Sequence, residues 1–282
     1  MMIEKAYAKI NLSLNVFSKR DDGYHNLKMI MIPLELHDSL EISILNSPDD
    51  YITCDNFSLS INKYNLCHKM IDLAREKWGF TEHFRIHIHK NIFLQAGLGG
   101  GSADAAATLK GIVKILKIKT TEEELIEMAS KIGSDVPWAL YNKPSIVESK
   151  GEILKSFENN NKFYVLLVKP KQGLSTQLVF HKCDELGYEH KDNIEDVKSA
   201  LIDGDLDKLS MIANNSLEDA AISLLPEVKT IKDSLIEDGM PFVLMTGAGS
   251  TVFALTNDLK QAKRMYIKYS KKDYEVELTR ML

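Results

Sequence analysis

Gly97-Leu98-Gly99-Gly100-Gly101-Ser102-Ala103-Asp104-Ala105-Ala106-Ala107 sets four glycines in five positions directly before an alanine-rich run. Glycine has no Cβ, so such a run lets the backbone take positive φ and brings its N–H groups close to a bulky anion. A helix starting at Ser102 or Ala103 adds unpaired N–H groups and the positive end of its dipole, which makes phosphate the natural guest. The Ser102 hydroxyl is the candidate for a phosphate oxygen or a magnesium-bound water, and Ala105, Ala106 and Ala107 let the helix pack close to a sheet. A Walker loop needs lysine before its Ser/Thr, and Gly101 stands there instead. A dinucleotide fingerprint is approached by Gly97, Gly99 and Ser102, but it wants Gly or Ala at the third place and opens a parallel βαβ domain. A tight strand-to-helix turn that binds nothing is the remaining alternative.

Working outward, Phe84-Arg85-Ile86-His87-Ile88-His89 alternates strictly, so the glycine loop follows a strand. His87 and His89, two apart with no third ligand, fit a solvated strand face better than a metal grip. Leu66, Met70, Ile71, Leu73 and Ala74 predict a helix over 65–77. Nearer the start, residues 6–16 alternate as a half-buried strand with Ile10, Leu12, Leu14 and Val16 on one face. Asp21-Asp22-Gly23 is turn chemistry, and strands follow over 29–36 and 39–45, a β-meander. Downstream, residues 103–116 predict a buried helix, and Thr121 with Glu124 forms a capping box for a helix over 122–132 that stops at Gly133. Asn159-Asn160-Asn161 is the best linker, which divides the chain into domains 1–157 and 158–282. Beyond it come a strand over 163–168 and two more, over 242–245 and 251–255, flanking a second glycine turn, Gly247-Ala248-Gly249.

The chain has 282 residues, enough for two moderate domains, with 44% hydrophobic and 27% charged residues, as in globular proteins. A formal charge of −5 leaves no overall basic footprint, so nucleic acid is not expected as a partner. With no stretch of about 18 apolar residues and no signal-like start, a cytoplasmic chain without membrane attachment is expected. Cys54, Cys67 and Cys183 are widely spaced and read as reduced packing residues.

The run from Gly97 to Ala107 resembles the phosphate loop of the GHMP superfamily, which holds galactokinase, homoserine kinase, mevalonate kinase and phosphomevalonate kinase. Ala8-Lys9-Ile10-Asn11-Leu12, Asp22-Gly23-Tyr24-His25 and Gly133-Ser134-Asp135-Val136-Pro137 narrow the resemblance to the 4-diphosphocytidyl-2-C-methyl-D-erythritol kinase family of non-mevalonate isoprenoid synthesis. Thr246-Gly247-Ala248-Gly249 before Thr251-Val252-Phe253-Ala254 is similar to that family's third motif. The resemblance implies an α+β, two-domain GHMP kinase fold. Its N-terminal domain is β-rich α/β and carries the phosphate loop; its C-terminal domain is ferredoxin-like α/β. It implies transfer of the γ-phosphoryl group of ATP, with Mg2+, to the 2-hydroxyl of the methylerythritol unit, in a monomer or homodimer. By the same resemblance Asp135 is the catalytic base and Lys9 its charged neighbour. Gly97, Leu98, Gly99, Gly100, Gly101, Ser102 and Ala103, with Gly247, Ala248 and Gly249, hold the nucleotide. Asn11, Tyr24, His25, Thr176 and Phe180 meet the cytidyl substrate, with Phe180 stacking on cytosine.

Those roles suit the residue types. Phosphoryl transfer needs positioning and neutralised oxygen charge, and a carboxylate can orient an acceptor hydroxyl and take its proton. A flat, neutral base calls for an aromatic platform and a directional hydrogen-bonding partner. The chain departs from the family at Tyr7 and Phe93, where proline is usual, and at Ser250 in the third motif. A kinase for another small alcohol, such as homoserine or mevalonate, and a catalytically silent nucleotide-binding paralogue are the alternatives.

Overall fold

The computed structural model describes residues 1–188 and 191–282. The elements run in chain order from β1 (Met2–Lys19), β2 (His25–Leu45), β3 (Tyr51–Cys54), α1 (Leu66–Trp78) and β4 (His83–His89) to α2 (Gly100–Leu116), α3 (Glu122–Ile132) and α4 (Val136–Tyr141). Then come β5 (Ser145–Ser149), β6 (Ile153–Ser156), β7 (Tyr164–Pro170), α5 (Thr176–Leu186), α6 (Ile194–Asp203), α7 (Leu206–Ile212), α8 (Glu218–Leu224) and α9 (Glu227–Glu237). β8 (Phe242–Met245), β9 (Val252–Thr256), α10 (Leu259–Tyr269) and β10 (Tyr274–Arg280) complete the set. By compactness the chain groups into two units, each assembled from three segments.

The first unit comprises residues 1–8, 36–92 and 99–142. Here β4 pairs antiparallel with the second half of β2, from Ser39 opposite His89 to Leu45 opposite His83, and β3 pairs parallel with β4. Leu40, Ile42, Phe84, Ile86 and Ile88 are fully buried, so the strict alternation seen in β4 does mark a core face. Helix α2 packs against α1 and α4, and its alanines 103 and 105–107 are buried as expected. Close approach continues at Gly111, where a Cβ would stand 2.4 Å from Ile42 Cδ1. α3 carries the predicted capping box: Thr121 Oγ1 accepts from the Glu124 N–H and Glu124 Oε2 accepts from the Thr121 N–H.

The second unit comprises residues 9–35, 93–98 and 143–282. Its antiparallel four-stranded sheet has the order β10-β7-β9-β8, with α9 and α10 packed on it. The first part of β2 pairs with β5 from Leu27 opposite Ser149 to Met31 opposite Ser145, and β5 pairs with β6. Distant segments are tied in by backbone bonds. The Leu14 N–H donates to Asn214 O at 2.8 Å, the Met281 N–H to Phe163 O at 3.1 Å and the Leu282 N–H to Pro33 O at 2.9 Å.

Three local expectations change. The segments 29–36 and 39–45 form one continuous strand, β2, because no residue between them breaks the extended backbone. Residues 8–16 are buried on both faces: Lys9, Asn11, Ser13 and Asn15 are as enclosed as the apolar set between them. Their polar atoms have partners, as in Ser13 Oγ to Asn214 O at 3.0 Å and Asn15 Nδ2 to Asn193 Oδ1 at 3.0 Å, which removes the cost of burying them. Helix α2 begins at Gly100, earlier than the Ser102 or Ala103 expected, because Gly99 takes the N-cap place with φ 71°.

Candidate active site

In the first unit, the start of α2 is built without a side-chain cap. Gly99 accepts the first helical bond, from the Ala103 N–H at 2.9 Å, which leaves the preceding N–H groups of Gly100, Gly101 and Ser102 as first-turn donors. Such donors at the positive end of a 17-residue helix make an anion site. Beside it lies a cavity of about 210 Å³ lined by Leu59, Ser60, Tyr64, Asn65, Leu66, Gly101 and Asp104. Asn65 is fixed there as the N-cap of α1: its Oδ1 accepts from the Cys67 N–H at 2.9 Å and its Nδ2 donates to Ser60 O at 2.8 Å.

Beneath the loop sits a buried ionic cluster. Lys90 Nζ donates to Asp104 Oδ2 at 2.5 Å and to Asp38 Oδ2 at 2.6 Å, and all three side chains are almost wholly enclosed. Asp38 Oδ1 accepts from the N–H groups of Asn91 and Ile92, which anchors the strand exit to the same cluster. Lys90 Nζ lies 3.2 Å from where a Cβ of residue 100 would stand, so the ammonium reaches up to the loop. Among the described residues, Asp104 Oδ1 is buried without a hydrogen-bond partner. Burial opposes the charge on Lys90, but Asp104 and Asp38 hold its pKa above the ordinary lysine range. Burial, joined by repulsion from Asp38, pushes the Asp104 carboxyl up to about 7 despite Lys90.

That shift has a measurable sign. The folded value of about 7 lies above the ordinary 3.8, so between those values the folded chain keeps a proton that the unfolded chain has released. This group's contribution to stability is therefore fully present below pH 3.8 and is lost as pH rises to about 7, at no more than about 1.4 kcal/mol per pH unit. Asp104→Asn is expected to remove that slope. Urea midpoints of both proteins between pH 5 and about 8 check this, and parallel curves would contradict it.

Asp135 occupies the N-cap position of α4, with Pro137 in the first turn. Its carboxylate makes no capping bond to that helix. A capping role, the plain structural reading of Asp135 before Val136-Pro137, is therefore not what the side chain does.

In the second unit, Lys9 and Asn11 project from β1 toward the third motif. Lys9 Nζ donates to Asn11 Oδ1 at 2.5 Å, and the ammonium stands 3.3 Å from where a Cβ of residue 247 would lie. The Asn11 N–H donates to Thr246 Oγ1 at 2.9 Å, Thr246 Oγ1 donates to Gly97 O at 3.3 Å, and the Lys9 N–H donates to Leu98 O at 3.0 Å. The Gly247-Ala248-Gly249 turn is thus stitched to the first residues of the glycine loop. Asn215 supports the turn from below, with Nδ2 donating to Met245 O at 2.8 Å and Gly247 O at 2.9 Å, while Glu218 Oε2 accepts from the Met245 N–H. Asn11 holds the lysine and the motif, and its Nδ2 lies against Met29 Sδ at 3.0 Å.

Gly97 admits no other residue. Its φ is 71°, and a Cβ there would stand 2.2 Å from Thr246 O. Gly97→Ala is expected to lower stability and raise the KM for ATP at least about tenfold, since left-handed backbone alone costs roughly 1–2 kcal/mol before the clash. Thermal melts with ATP titrations check it; wild-type values in both would show that the turn yields freely.

A third cluster surrounds His25, also in the second unit. The ring is buried, stacked on Phe180 with centroids 5.2 Å apart and planes 25° apart, and met edge-on by Tyr188 at 6.2 Å. Its Nε2 lies 2.6 Å from Asp184 Oδ1, and Lys19 Nζ donates to Asp184 Oδ2 at 2.6 Å. Burial works against the Asp184 carboxylate, but the bonds from Lys19 and His25 outweigh it and keep its pKa below the ordinary value. Tyr24 is exposed, with Lys150 Nζ 5.5 Å from its ring centroid, and Thr176 is exposed at the first turn of α5.

The sequence reading passed over Asp184, Lys19, Asn215 and the Lys90–Asp38 pair. Asp184 follows Phe180 by four residues on α5, so helical spacing puts both on one face. Asn215 and Asp38 had no such local mark. Among the described residues no three His, Cys, Asp or Glu side chains form a metal-holding group. His87 and His89 are taken up instead, by Thr53 Oγ1 at 2.8 Å from His87 Nδ1 and by Glu41 Oε1 at 3.1 Å from His89 Nε2. No helix among the described residues is long and apolar enough to cross a membrane.

Residues 65–143 match the family model for the GHMP kinases N terminal domain, and residues 197–275 match that for the GHMP kinases C terminal domain. The fold and its glycine-rich turns are those of a GHMP kinase. A protein of Streptococcus agalactiae is 36% identical over 99% of both chains, and one of Staphylococcus haemolyticus is 34% identical over 100% of both. Each is provisionally named 4-diphosphocytidyl-2-C-methyl-D-erythritol kinase. A crystal structure of 4-(cytidine 5'-diphospho)-2C-methyl-D-erythritol kinase superposes with a TM-score of 0.83 at 28% identity, over 100% of both chains. Within the GHMP superfamily, the chain belongs to the 4-diphosphocytidyl-2-C-methyl-D-erythritol kinase family.

Proposed function

We propose that the chain transfers the γ-phosphoryl group of ATP to the 2-hydroxyl of 4-diphosphocytidyl-2-C-methyl-D-erythritol. The observation that carries this substrate, above an alcohol without a base, is the His25–Phe180 stack: a flat aromatic platform beside a fixed imidazole edge serves a nucleobase and has no use for homoserine or mevalonate. In the family's pattern the cytosine lies against Phe180, and Tyr24, His25 and Thr176 belong to the same subsite. The first-turn N–H groups of α2 hold ATP phosphates, and the neighbouring cavity, enclosed by Leu59, Tyr64, Asn65 and Leu66, takes the apolar face of the nucleoside.

In this reading Asp135 orients the acceptor hydroxyl and takes its proton, while Lys9, held by Asn11, neutralises charge on the transferred group. Mg2+ would enter with the nucleotide, since no acidic cluster among the described residues holds a metal alone, and the Ser102 hydroxyl would be its protein ligand. The ion would supply charge neutralisation on the phosphate oxygens. An enzyme using ATP and a diphosphate-linked sugar alcohol works where both are made, in the cytoplasm.

The test is ATP-dependent phosphorylation of the cytidyl compound by purified protein, beside homoserine and mevalonate. Turnover confined to the cytidyl compound is expected. Turnover of another alcohol alone would replace the substrate, and ATP binding with no turnover of any would make the chain a silent nucleotide-binding paralogue.

A further inference from the structure

We infer that Asp184, braced by Lys19, fixes the ring proton of His25 on Nε2 and thereby makes Nδ1 the atom that selects cytosine over uracil; the inference rests on the cytidyl reading above. The geometry leaves little freedom. An ionised carboxylate only accepts, so at 2.6 Å from Asp184 Oδ1 the Nε2 atom must carry the hydrogen. Asp184 cannot become the donor, because its second oxygen accepts from Lys19 Nζ at 2.6 Å and these bonds hold its pKa below the ordinary value against the effect of burial. The ring cannot turn over cheaply, for its side chain is only 5% exposed and lies between the face of Phe180 and the edge of Tyr188. Tyr188 is itself pinned by a hydrogen bond from its hydroxyl to Phe17 O.

In a neutral imidazole with its hydrogen on Nε2, Nδ1 presents a lone pair. Among the described residues no hydrogen bond is made to Nδ1. Cytosine carries an exocyclic amino group that donates to such an atom, whereas uracil places a carbonyl oxygen at the same position. Two acceptors facing each other leave both unpaired, at a cost that corresponds to roughly 10- to 100-fold in affinity. Asp184 is thus a positioning residue, acting on the base only through the imidazole. Lys19 matters as well, because it decides which way a carboxamide would sit at position 184. With its oxygen kept on Lys19, an asparagine would turn its NH2 toward Nε2 and drive the ring hydrogen to Nδ1.

Two measurements decide the matter. In protein labelled with 15N at histidine, the His25 signals are assigned by their loss in His25→Gln, and the nitrogen shifts report which ring atom is protonated. Nε2 protonated and Nδ1 bare is expected in the wild type, with the reverse in Asp184→Asn. Calorimetry with CMP and UMP is expected to show CMP favoured roughly 10- to 100-fold by the wild type. In Asp184→Asn that ratio should fall to about one or invert while ATP affinity stays at the wild-type value, a change that loosened packing alone would not produce. A wild-type Nδ1 that carries the hydrogen overturns the inference whether or not the variant folds, as does an unchanged ratio in folded Asp184→Asn. The expected protonation with neither nucleotide bound would take down the cytidyl reading, and with it the ligand assigned to Nδ1.

Discussion

Asp135→Asn is expected to fold, to bind ATP and the cytidyl substrate, and to lose about 10²- to 10⁴-fold in kcat, the range for removing a general base. The carboxamide keeps the shape and can still orient a hydroxyl, but it cannot take the proton. The Asp135 carboxylate does not cap α4, so the change takes no capping bond from that helix. Steady-state rates with both substrates saturating, and calorimetric affinities measured separately, test this. A kcat within about threefold of wild type would remove Asp135 from the proton transfer. A kcat loss matched by lost ATP affinity would make it a binding residue instead.

The second large effect is on folding. Lys90→Met leaves the Asp38 and Asp104 carboxylates buried without the ammonium that both accept from. Breaking such a group by removing one partner costs about 3–5 kcal/mol, far more than an exposed pair would. The urea midpoint of the variant should fall accordingly. Adding Asp104→Asn should recover part of the loss, because the second buried carboxyl, whose charge burial and Asp38 already oppose, is then gone. A Lys90→Met protein as stable as the wild type would show that the carboxylates find protons or water at little cost. The loop above should respond too, since Lys90 Nζ reaches to 3.2 Å from the Cβ position of residue 100 and binds Asp104 in the same helix.

Three helices were legible, α1 and α2 from their apolar spacing and α3 from signals written locally at its ends, whereas α4 was missed and α5 to α10 had no bounds in the sequence. Thr121 and Glu124 box the start of α3 and Gly133 ends it, while the cap that Asn65 gives α1 is seen only in the fold. The glycine run was equally plain as the turn that opens a helix, although that helix starts two or three residues earlier than expected, since glycine at 99 serves as its cap. What was not legible is what distance in sequence hides. The full burial of Lys9, Asn11, Ser13 and Asn15 depends on Thr246, Asn193 and Asn214, about 180–235 residues away, and an alternating pattern cannot announce that both faces of a strand are covered. Lys90, Asp38 and Asp104 form one cluster from three separate stretches, and only Asp104 lies in a recognisable motif. His25 and Phe180 were singled out by family resemblance; the residue that controls the imidazole, Asp184, needed coordinates.

The way the second unit is stitched has a consequence for biosynthesis. Its strands are closed by bonds from Leu14 to Asn214, Phe163 to Met281 and Pro33 to Leu282, spanning roughly 120 to 250 residues, whereas all segments of the first unit lie before residue 143. A ribosome adds on the order of 5–20 residues per second, so the partners of Pro33 and Leu14 emerge many seconds after those residues do. The first unit has all its segments early; residues 9–35, with their buried polar atoms, must wait for the far end of the chain. The lysine and the histidine on which the proposed chemistry depends are therefore made long before the segments that lock them in place.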